Sequence, residues 1–543
     1  MSRKIRWALR ITGWLLVVIA LAPRWSHVEQ GPGADTTLLL GIPESPLYVR
    51  ETTAIHAGVA NLPGEEEVKR HSDFRIASWS MLVLIAGALL VSTSNRRAGM
   101  ALALLLVGCA APHPRPCDAL FSEWDRADSP GCALAVLREG KIAYARGYGS
   151  ANLEHSIPIG PRTVFDIGST SKQFTAACIG LLVQDGKLAV TDDLRKYVPE
   201  IPDYGKTITL DHLLHHTSGL RDYLTLFSLA GIASENLTGD SETLAMLARQ
   251  KQLNFEPGAE FLYSNSGYFL LSVVVARVSG KSLPEFARER ILEPLGMQQT
   301  HIHDDHTLVV AHRATGYEPR EAGGFGIDMS DFEQTGDGAV MTSVEDLARW
   351  DENFYTAQVG GPELLEFLRT RGTLTNGKTL DYARGLGLGE KDGLAFESHG
   401  GSWAGYRAQL LRFPGKHTSI VCLCNLGSMD PSELCWKVAA LELGLDLGKR
   451  TQAPAPETAA AAKLELTEEQ RARWIGLYSC AELGVNYAIA PGLTVGIPGQ
   501  KAQPLEVLAE DRLGVQGVEL RLERDGFALD AGRVRDLHFV RVN

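Results

Sequence analysis

The sequence predicts an α+β fold built on one antiparallel sheet, followed by a small all-β domain. Two strand-like segments in residues 132–148 meet at Glu139-Gly140, and this pattern is typical of a β-hairpin. Helical patterns follow at residues 169–185 and 268–278, and strand-like apolar runs return at 408–413 and 419–424. Strands at both ends of a domain, with helices between them, predict a single sheet assembled from the two ends and flanked by helices.

The region after residue 463 has a different pattern. Residues 474–542 are short alternating segments broken by Gly, Pro and Asp-Gly, which predict a small barrel or sandwich. Residues 450–463 have the Ala- and Pro-rich composition of a linker. The predicted domains are a membrane region at 1–99, an anchor or spacer at 100–116, the α+β domain at 117–447, a linker at 448–463 and the all-β domain at 464–543.

The overall composition is that of a globular protein. Of the 543 residues, 45% are hydrophobic and 22% are charged, which excludes a chain that is disordered throughout. The formal net charge is −12, and no basic cluster is large enough to offset it. Because an acidic surface repels phosphate backbones, no nucleic acid partner is predicted.

Three apolar runs near the N-terminus predict a transmembrane region. They span residues 11–22, 76–92 and 98–111. A spanning helix needs about 20 apolar residues, so the first run is short for a plain span. Basic residues precede the first run, and Asn95-Arg96-Arg97 separates the second from the third. The positive-inside rule places both basic segments in the cytoplasm, so everything after the third run is expected on the periplasmic or extracytoplasmic side.

The third run ends in Leu106-Val107-Gly108-Cys109, which resembles a bacterial lipobox. In such a box the cysteine is lipidated and becomes the mature N-terminus, and residues 91–109 have the layout of a lipoprotein signal. Either Cys109 carries a lipid or the third run is a plain anchor helix. It also stays open whether residues 1–90 form a two-helix module or are not made because translation starts later. Every alternative leaves the remainder of the chain tethered to the membrane.

No metal and no cofactor is predicted. The chain has 8 cysteines but no C-x-x-C pair, which argues against a thiol-ligated zinc site. Cys117 and Cys132 flank a short segment and could form a disulfide in an oxidising compartment. Cys422 and Cys424 alternate along a strand and are expected to be packed side chains. The segment 301–306, His-Ile-His-Asp-Asp-His, lacks a helical histidine pair and is expected to be a solvated loop.

The chemistry is predicted first from the tetrad Ser169-Thr170-Ser171-Lys172. The residues before it look extended and those after it helical, which places Ser169 at a helix N-terminus, where negative charge is favoured. Lys172 follows one turn later, so its ammonium is expected beside the Ser169 hydroxyl, which it can activate as a nucleophile. Alone this signal is weak, because on the order of two Ser-x-x-Lys tetrads are expected by chance in a chain of this length.

Two further motifs strengthen the signal. Tyr263-Ser264-Asn265 lies downstream, and His399-Gly400-Gly401 opens the late strand region. These motifs stand in the segments FDIGSTSKQFTA, ITLDHLLHHTSGL, EPGAEFLYSNSGYFLL, ILEPLGM, GDGAVMTSVEDLARW and HGGSWAGYRAQLLRFPG. With them, residues 117–444 resemble the serine β-lactamase/penicillin-binding family, in the branch of class C β-lactamases, D-alanyl-D-alanine peptidases, D-aminopeptidases and esterases. The resemblance implies that family's fold, an antiparallel sheet with flanking helices and a helical lobe.

The resemblance also implies the roles of the matching residues. Ser169 would be the acylated nucleophile, and Lys172 and Tyr263 would share the proton transfer, with the phenol taking the serine proton and returning it to the leaving group. The backbone N–H groups of Ser169 and Ser402 would form the oxyanion hole. Asn265 would hold an amide of the substrate and orient Lys172. The predicted substrate-binding residues are Asn265, His399, Gly400, Gly401 and Ser402.

His399 stands where β-lactamases usually carry lysine. An unperturbed histidine titrates near pH 6.5, so the permanent cation that helps to bind a β-lactam is weakened. The motif is more similar to the peptidase, aminopeptidase and esterase members. The segment LTEEQRARWIGLYSC and the strands after it resemble the lipocalin-like appendage of several such relatives, in which the appendage can shape the active site.

These observations predict a membrane-tethered serine hydrolase that acts on D-amino-acid peptides, amides or esters. The expected partners are such a small substrate and the membrane, and the oligomeric state is not predicted. Two alternatives stay open. One is a true β-lactamase, and the other is a catalytically inactive sensor of cell-wall peptides, which would not need the complete set Ser169, Lys172, Tyr263 and Asn265.

Overall fold

The structure is a computed structural model. It describes residues 115–447 and 464–542 and, in the N-terminal part, the strands Arg24–Val28 and Thr37–Gly41. These two N-terminal strands pair antiparallel. The three predicted apolar runs, Cys109 and the linker at 448–463 lie outside the described residues. Among the helices that are described, none combines the length and the apolar character needed to cross a bilayer.

The main sheet has six antiparallel strands. Their spatial order is Gly387–Lys391, Leu394–Trp403, Tyr406–Phe413, Thr418–Cys424, Cys132–Arg138 and Lys141–Tyr148. Thr418–Cys424 pairs with Cys132–Arg138, so the sheet predicted from the two ends of the domain is confirmed. The predicted hairpin is also confirmed. Glu139 (φ 48°) and Gly140 (φ 70°) both lie in the left-handed region, as a type I′ turn requires.

Smaller sheets connect the main sheet to the helices. Their strands are Ser150–Asn152, Ile157–Pro158, Phe165–Asp166, His301–Ile302, Tyr317–Pro319, Phe325–Ile327 and Val340–Thr342. Phe165–Asp166, Val340–Thr342 and His301–Ile302 form one three-stranded sheet, with Val340–Thr342 in the middle. This sheet ends directly before the predicted nucleophile and therefore sets its position.

The helices form a flanking layer and a separate lobe. They span Lys172–Gln184, Leu210–Leu214, Tyr223–Leu229, Asp240–Ala248, Asn265–Ser279, Leu283–Ala287, Glu293–Leu295, Val344–Thr356, Gly361–Arg369, Pro431–Leu443 and Glu468–Trp474. Short 3₁₀ turns lie at Pro116–Phe121, Gly168–Ser171, Leu194–Lys196 and Pro414–Lys416, and a π turn lies at Arg288–Leu292. Lys172–Gln184 is buried from Lys172 to Leu182, because its residues are apolar or small on almost every side. It is therefore a central helix of the α+β domain.

A buried ion network fixes the sheet near the third motif. The guanidinium of Arg412 is fully buried and donates to the carboxylates of Asp351 and Glu397, each over 2.7 Å. Asp351 lies on the helix Val344–Thr356, and Glu397 lies two residues before His399 on its strand. A buried charge is tolerated only when it is paired, so these contacts hold the strand that carries His399 against the helix.

The C-terminal domain is a barrel-like antiparallel sheet of nine strands. Their spatial order is Gln503–Pro504, Thr494–Gly496, Val485–Ala490, Gly476–Cys480, Val534–Arg541, Gly526–Ala531, Val518–Leu522, Arg512–Val515 and Glu506–Ala509. Buried aromatic side chains fill its core, namely Trp474, Tyr478, Tyr487, Phe527 and Phe539. The predicted all-β domain is therefore confirmed.

The all-β domain packs directly on the α+β domain. The guanidinium of Arg221 is fully buried and donates to the Glu482 carboxylate over 2.7 Å, to the Arg535 carbonyl over 2.9 Å and to the Asp536 carbonyl over 2.8 Å. The Tyr487 hydroxyl donates to the Leu229 carbonyl over 2.6 Å. These contacts fix the position of the hairpin that contains Arg535.

The predicted disulfide between Cys117 and Cys132 is not formed. Both thiols are free and buried, as are all cysteines of the described residues. Cys132 lies directly opposite Cys424 on the neighbouring strand, and its sulfur atom lies within 4.8 Å of those of Cys422 and Cys424. Cys422 and Cys424 are packed on one face with their sulfur atoms 3.7 Å apart, as the strand pattern predicts.

Candidate active site

Ser169 lies on the 3₁₀ turn Gly168–Ser171, directly before the helix Lys172–Gln184. The sequence predicted the helix to begin at Ser169, and the structure begins it one turn later. The Asp166 carboxylate accepts the backbone N–H of Gly168 over 2.7 Å, which fixes the start of the turn. The half-buried Ser169 side chain therefore projects from a short, held segment into a cavity.

The Lys172 ammonium is hydrogen-bonded to the Ser169 hydroxyl. Its side chain is fully buried and donates to the hydroxyl oxygen of Ser169 over 3.0 Å, to Oδ1 of Asn265 over 2.9 Å and to the Asp337 carbonyl over 2.7 Å. Three acceptors around one nitrogen match the three donors of an ammonium. Because the ammonium donates to Ser169, the proton of that hydroxyl is free to point toward another acceptor.

Asn265 connects the second motif to the first. It is the first residue of the helix Asn265–Ser279, and its backbone N–H donates to the Asp222 carboxylate over 2.6 Å. Since its Oδ1 accepts from Lys172, its amide NH₂ is the part that can meet a ligand in the cavity, which Asn265 lines.

Tyr263 lies beside the ammonium but is not bonded to it. The Lys172 nitrogen is 5.0 Å from the centre of the Tyr263 ring. The ring stacks on His216 at a centroid distance of 4.1 Å. In the described part of the chain, the buried Tyr263 hydroxyl has no hydrogen-bond partner, which leaves it available to a group that enters the cavity. The three side chains therefore lie around one space, and within the described residues no hydrogen bond joins Tyr263 to Ser169.

His399 is held as a neutral ring. Its Nδ1–H donates to the Gly400 carbonyl over 2.7 Å, and its Nε2 accepts the Tyr382 hydroxyl over 3.0 Å. Burial and, secondly, the Lys172 ammonium lower the pKa of His399 to about 4. This pKa lies below the value near 6.5 of an unperturbed histidine, because His399 is buried beside a charge, and the sequence shows neither feature.

Two glycines bring the turn and the third motif together. A Cβ on Gly168 would lie 2.7 Å from the backbone nitrogen of Ser402, and a Cβ on Gly401 would lie 1.8 Å from the Ile167 oxygen. No side chain fits at either position. The resulting close approach places the backbone of Ser402 next to that of Ser169, where the oxyanion hole is predicted.

The site opens into a cavity of about 820 Å³. Among its lining residues are all but one of the sequence-predicted site residues of the α+β domain, namely Ser169, Tyr263, Asn265, His399, Gly400, Gly401 and Ser402. Lys172 lies beneath them. Apolar side chains that the sequence did not identify form another part of the wall, namely Leu224, Met329, Phe332 and Trp403.

Three further residues of the site were missed by sequence reasoning. His216 stacks on Tyr263, and its Nδ1 accepts the Ser264 N–H over 3.2 Å. Asp337 supplies a carbonyl to Lys172, while its buried carboxylate accepts the Tyr223 hydroxyl at 3.1 Å. Arg533 of the all-β domain lines the same cavity. His216 and Asp337 fall within two of the segments that resemble the family and Arg533 does not, but the contacts of all three depend on distant segments, which the sequence does not show.

The histidines of residues 301–306 separate into two environments. His303 is buried, lines the cavity and lies 3.2 Å from His301, measured between ring nitrogens. His306 pairs with Glu333 over 2.7 Å, and Asp305 lies close enough to share a cation with them. The predicted solvated loop therefore describes Asp305 and His306 but not His303.

Comparison with known proteins identifies the family. Residues 118–443, more than half of the chain, match the family model described as Beta-lactamase. The chain belongs to the beta-lactamase family. Family membership and the presence of D-aminopeptidases among the relatives make it a serine hydrolase, as predicted from the three motifs.

Individual relatives match between 54% and 76% of this chain. The D-aminopeptidase of Gluconobacter oxydans is 27% identical over 402 residues, which are 74% of this chain and 75% of that protein. Penicillin-binding protein 4* of Bacillus subtilis is 31% identical over 311 residues, which are 54% of this chain and 68% of that protein. The octameric penicillin-binding protein homologue from Pyrococcus abyssi is 26% identical with a TM-score of 0.55, and the match covers 76% of this chain and 97% of that one.

Proposed function

We propose that this chain hydrolyses D-amino-acid peptides, amides or esters through an acyl-enzyme on Ser169. The observation that carries the proposal is the arrangement around Lys172, whose ammonium holds the Ser169 hydroxyl and the Asn265 amide at the base of an open cavity. The similarity to a D-aminopeptidase over 402 residues supports the substrate class.

The reaction has two steps. In the first, Ser169 Oγ forms a bond to the substrate carbonyl carbon, and its proton passes to the Tyr263 oxygen, which must be in its phenolate form to accept it. The backbone N–H groups of Ser169 and Ser402 stabilise the oxyanion. The bond to the leaving group breaks, and Tyr263 returns the proton to that group. In the second step, water attacks the acyl ester and releases the acid product, with the proton following the same route.

The neutral state of His399 supports a peptide, amide or ester substrate over a β-lactam. At neutral pH this ring supplies no charge at the third motif, because its pKa is lowered to about 4. A β-lactam carboxylate therefore lacks the lysine that usually binds it there. True β-lactamase activity is the alternative, and an inactive sensor is a second one.

A substrate panel tests this proposal. The full chain in detergent is assayed with D-aminoacyl amides, D-Ala-D-Ala peptides, short esters and nitrocefin, together with Ser169→Ala and, as a matched control, the exposed Ser241→Ala. We expect D-amino-acid substrates to be turned over fastest, and a fluorophosphonate to label the wild type and Ser241→Ala but not Ser169→Ala. Rapid nitrocefin turnover would instead support a β-lactamase, and the absence of any labelling would support a sensor.

We also propose that the catalytic domain is tethered to the extracytoplasmic face of the membrane, from the apolar runs and basic segments of the N-terminus. Lipidation of Cys109 is one form of this tether. Metabolic labelling with a radioactive fatty acid, with Cys109→Ala as the comparison, distinguishes a lipid anchor from a third anchor helix. Recovery of the wild-type chain in the soluble fraction would contradict both forms.

A further inference from the structure

The all-β domain inserts one arginine into the active-site cavity. The strands Gly526–Ala531 and Val534–Arg541 are joined by a tight turn, Gly532-Arg533. Gly532 has φ 52°, in the left-handed region that a glycine adopts without strain at the first position of such a turn. Arg533 is therefore at the tip of a hairpin, and it lines the cavity that contains Ser169.

The tip is firmly fixed to the α+β domain. The Arg533 carbonyl accepts the Asn254 side-chain NH₂ over 2.9 Å and the Asp222 N–H over 3.3 Å. Asn254 in turn accepts the Arg535 N–H over 2.8 Å. Together with the buried contacts of Arg221 behind the hairpin, these bonds hold the backbone of Arg533 in place.

The guanidinium of Arg533 is left available. It lies 5.0 Å from the centre of the Tyr263 ring and 3.9 Å from the nearest Asp222 oxygen, and it donates no hydrogen bond to the described residues. The carboxylate of Asp222 is already engaged by the N–H groups of Asn265 and Thr225. The Arg533 side chain is 43% exposed, so its donors can reach a ligand.

Other basic groups of the cavity are not available in the same way. The three donors of Lys172 are all used, and His399 is neutral. Arg407 donates to the carbonyl groups of Ala404 and Tyr406. Arg313 also lines the cavity, and its charge acts on the nearby Asp166. This charge lowers the pKa of the Asp166 carboxyl, although burial has the larger and opposite effect. Arg533 is the guanidinium that lies against the Tyr263 ring.

We propose that Arg533 binds a carboxylate on the leaving group of the substrate and so directs the enzyme to peptides that end in a free D-amino acid. This inference rests on the proposed function. Tyr263 returns the proton to the leaving nitrogen, so a group beside the Tyr263 ring lies on the leaving-group side. In a C-terminal amino acid the carboxylate is two bonds from that nitrogen. A guanidinium pairs with a carboxylate through two parallel hydrogen bonds and keeps its charge throughout the physiological range.

The test compares the same bond with and without the carboxylate. The substrates are D-Ala-D-Ala and D-Ala-D-Ala-NH₂, and release of D-Ala or D-Ala-NH₂ is measured with the full chain in detergent. We expect Arg533→Gln to lower kcat/KM for the acid about 10- to 100-fold and for the amide less than about 3-fold, because a charge-assisted hydrogen bond is lost only with the acid. Arg533→Lys should restore part of the activity on the acid.

A matched control lies on the same hairpin. Arg535 is paired with Glu260 over 3.1 Å and is not part of the cavity wall, so Arg535→Gln removes the same charge without the proposed contact. We expect it to leave the acid-to-amide ratio unchanged. The fluorophosphonate labelling rate of each variant shows that the site is assembled.

Two outcomes would overturn the inference while leaving the proposed function intact. One is equal hydrolysis of acid and amide by the wild type, and the other is an equal loss on both substrates in Arg533→Gln. A wild-type chain that hydrolyses neither peptide and is not labelled at Ser169 would overturn the proposed function itself, and the inference with it.

Discussion

The Tyr382 hydroxyl donates a hydrogen bond of 3.0 Å to Nε2 of His399, and the opposite ring nitrogen donates to the Gly400 carbonyl. Burial raises the pKa of Tyr382 well above 10, so it stays a donor. Both nitrogens are thus satisfied by a neutral ring, and a proton on Nε2 would face another donor. The third motif of this chain therefore carries a neutral hydrogen-bonding group at physiological pH.

This arrangement predicts the pH dependence of His399. Its pKa is lowered from 6.5 to about 4, so the ring is already neutral above about pH 5 and does not change charge near pH 6.5. We expect the ratio of kcat/KM between the wild type and His399→Gln to be constant from about pH 5.5 to about pH 8, a range that includes the usual histidine pKa. A ratio that changes through pH 6.5 would show that His399 titrates there.

The close approach at Gly168 and Gly401 predicts a severe effect of one added carbon. Gly168→Ala and Gly401→Ala would push Ser402 and Ile167 away, because the new Cβ would lie 2.7 Å and 1.8 Å from their backbone atoms. We expect acylation of Ser169 to fall by more than about 100-fold, the cost of losing one oxyanion donor. Gly160→Ala is the control, since nothing lies within 4 Å of its Cβ position. Burst-phase labelling measures acylation, and circular dichroism measures whether the variant is folded. Normal acylation by Gly401→Ala would contradict the close packing of Gly401 against Ile167.

Replacing the buried Lys172 is expected to slow the acylation of Ser169 without unfolding the protein. Lys172→Met keeps the volume of the side chain but removes the donors to Ser169, Asn265 and Asp337. We expect a decrease on the order of 10²- to 10⁴-fold in the acylation rate, the range for loss of proton-transfer assistance. The exposed Lys196→Met should have no such effect. A folded Lys172→Met protein that acylates at the wild-type rate would exclude the proposed role.

Asp337 predicts a pH dependence of stability. Burial raises its pKa from 3.8 to about 7, against the opposing effect of Lys172. Between these values the unfolded chain has released the proton and the folded protein retains it, so the free energy of unfolding falls as pH rises through this window and levels off above about pH 7. We therefore expect the stability of the wild type relative to Asp337→Asn to decrease from about pH 4 to about pH 7 in urea unfolding. An increase over the same range would contradict the assignment.

Several parts of the site were predictable because they depend on short stretches of sequence. The spacing of Ser169 and Lys172 places their side chains together through one turn of backbone, and Glu139-Gly140 specifies its own turn. The order of the three motifs then identifies the family. The N-terminal tether stays a prediction, since its apolar runs lie outside the described residues.

Other parts could not be predicted because they depend on burial or on contacts between distant segments. The neutral state of His399 follows from Tyr382 and from its depth in the protein. The contact of Arg533 with Tyr263 joins residues of two domains. The close approach of Gly168 to the backbone of Ser402 likewise joins segments that are far apart in the sequence.

The sequence by itself determined the family and the main features of the fold, and it predicted the nucleophile and the cation beside it, because local spacing and motif order encode them. Only the tertiary structure decided the charge state of the third motif and the place of Arg533 beside the Tyr263 ring in the cavity. The physical reason is that solvent exclusion and through-space charge set both properties, and neither is a function of position along the chain.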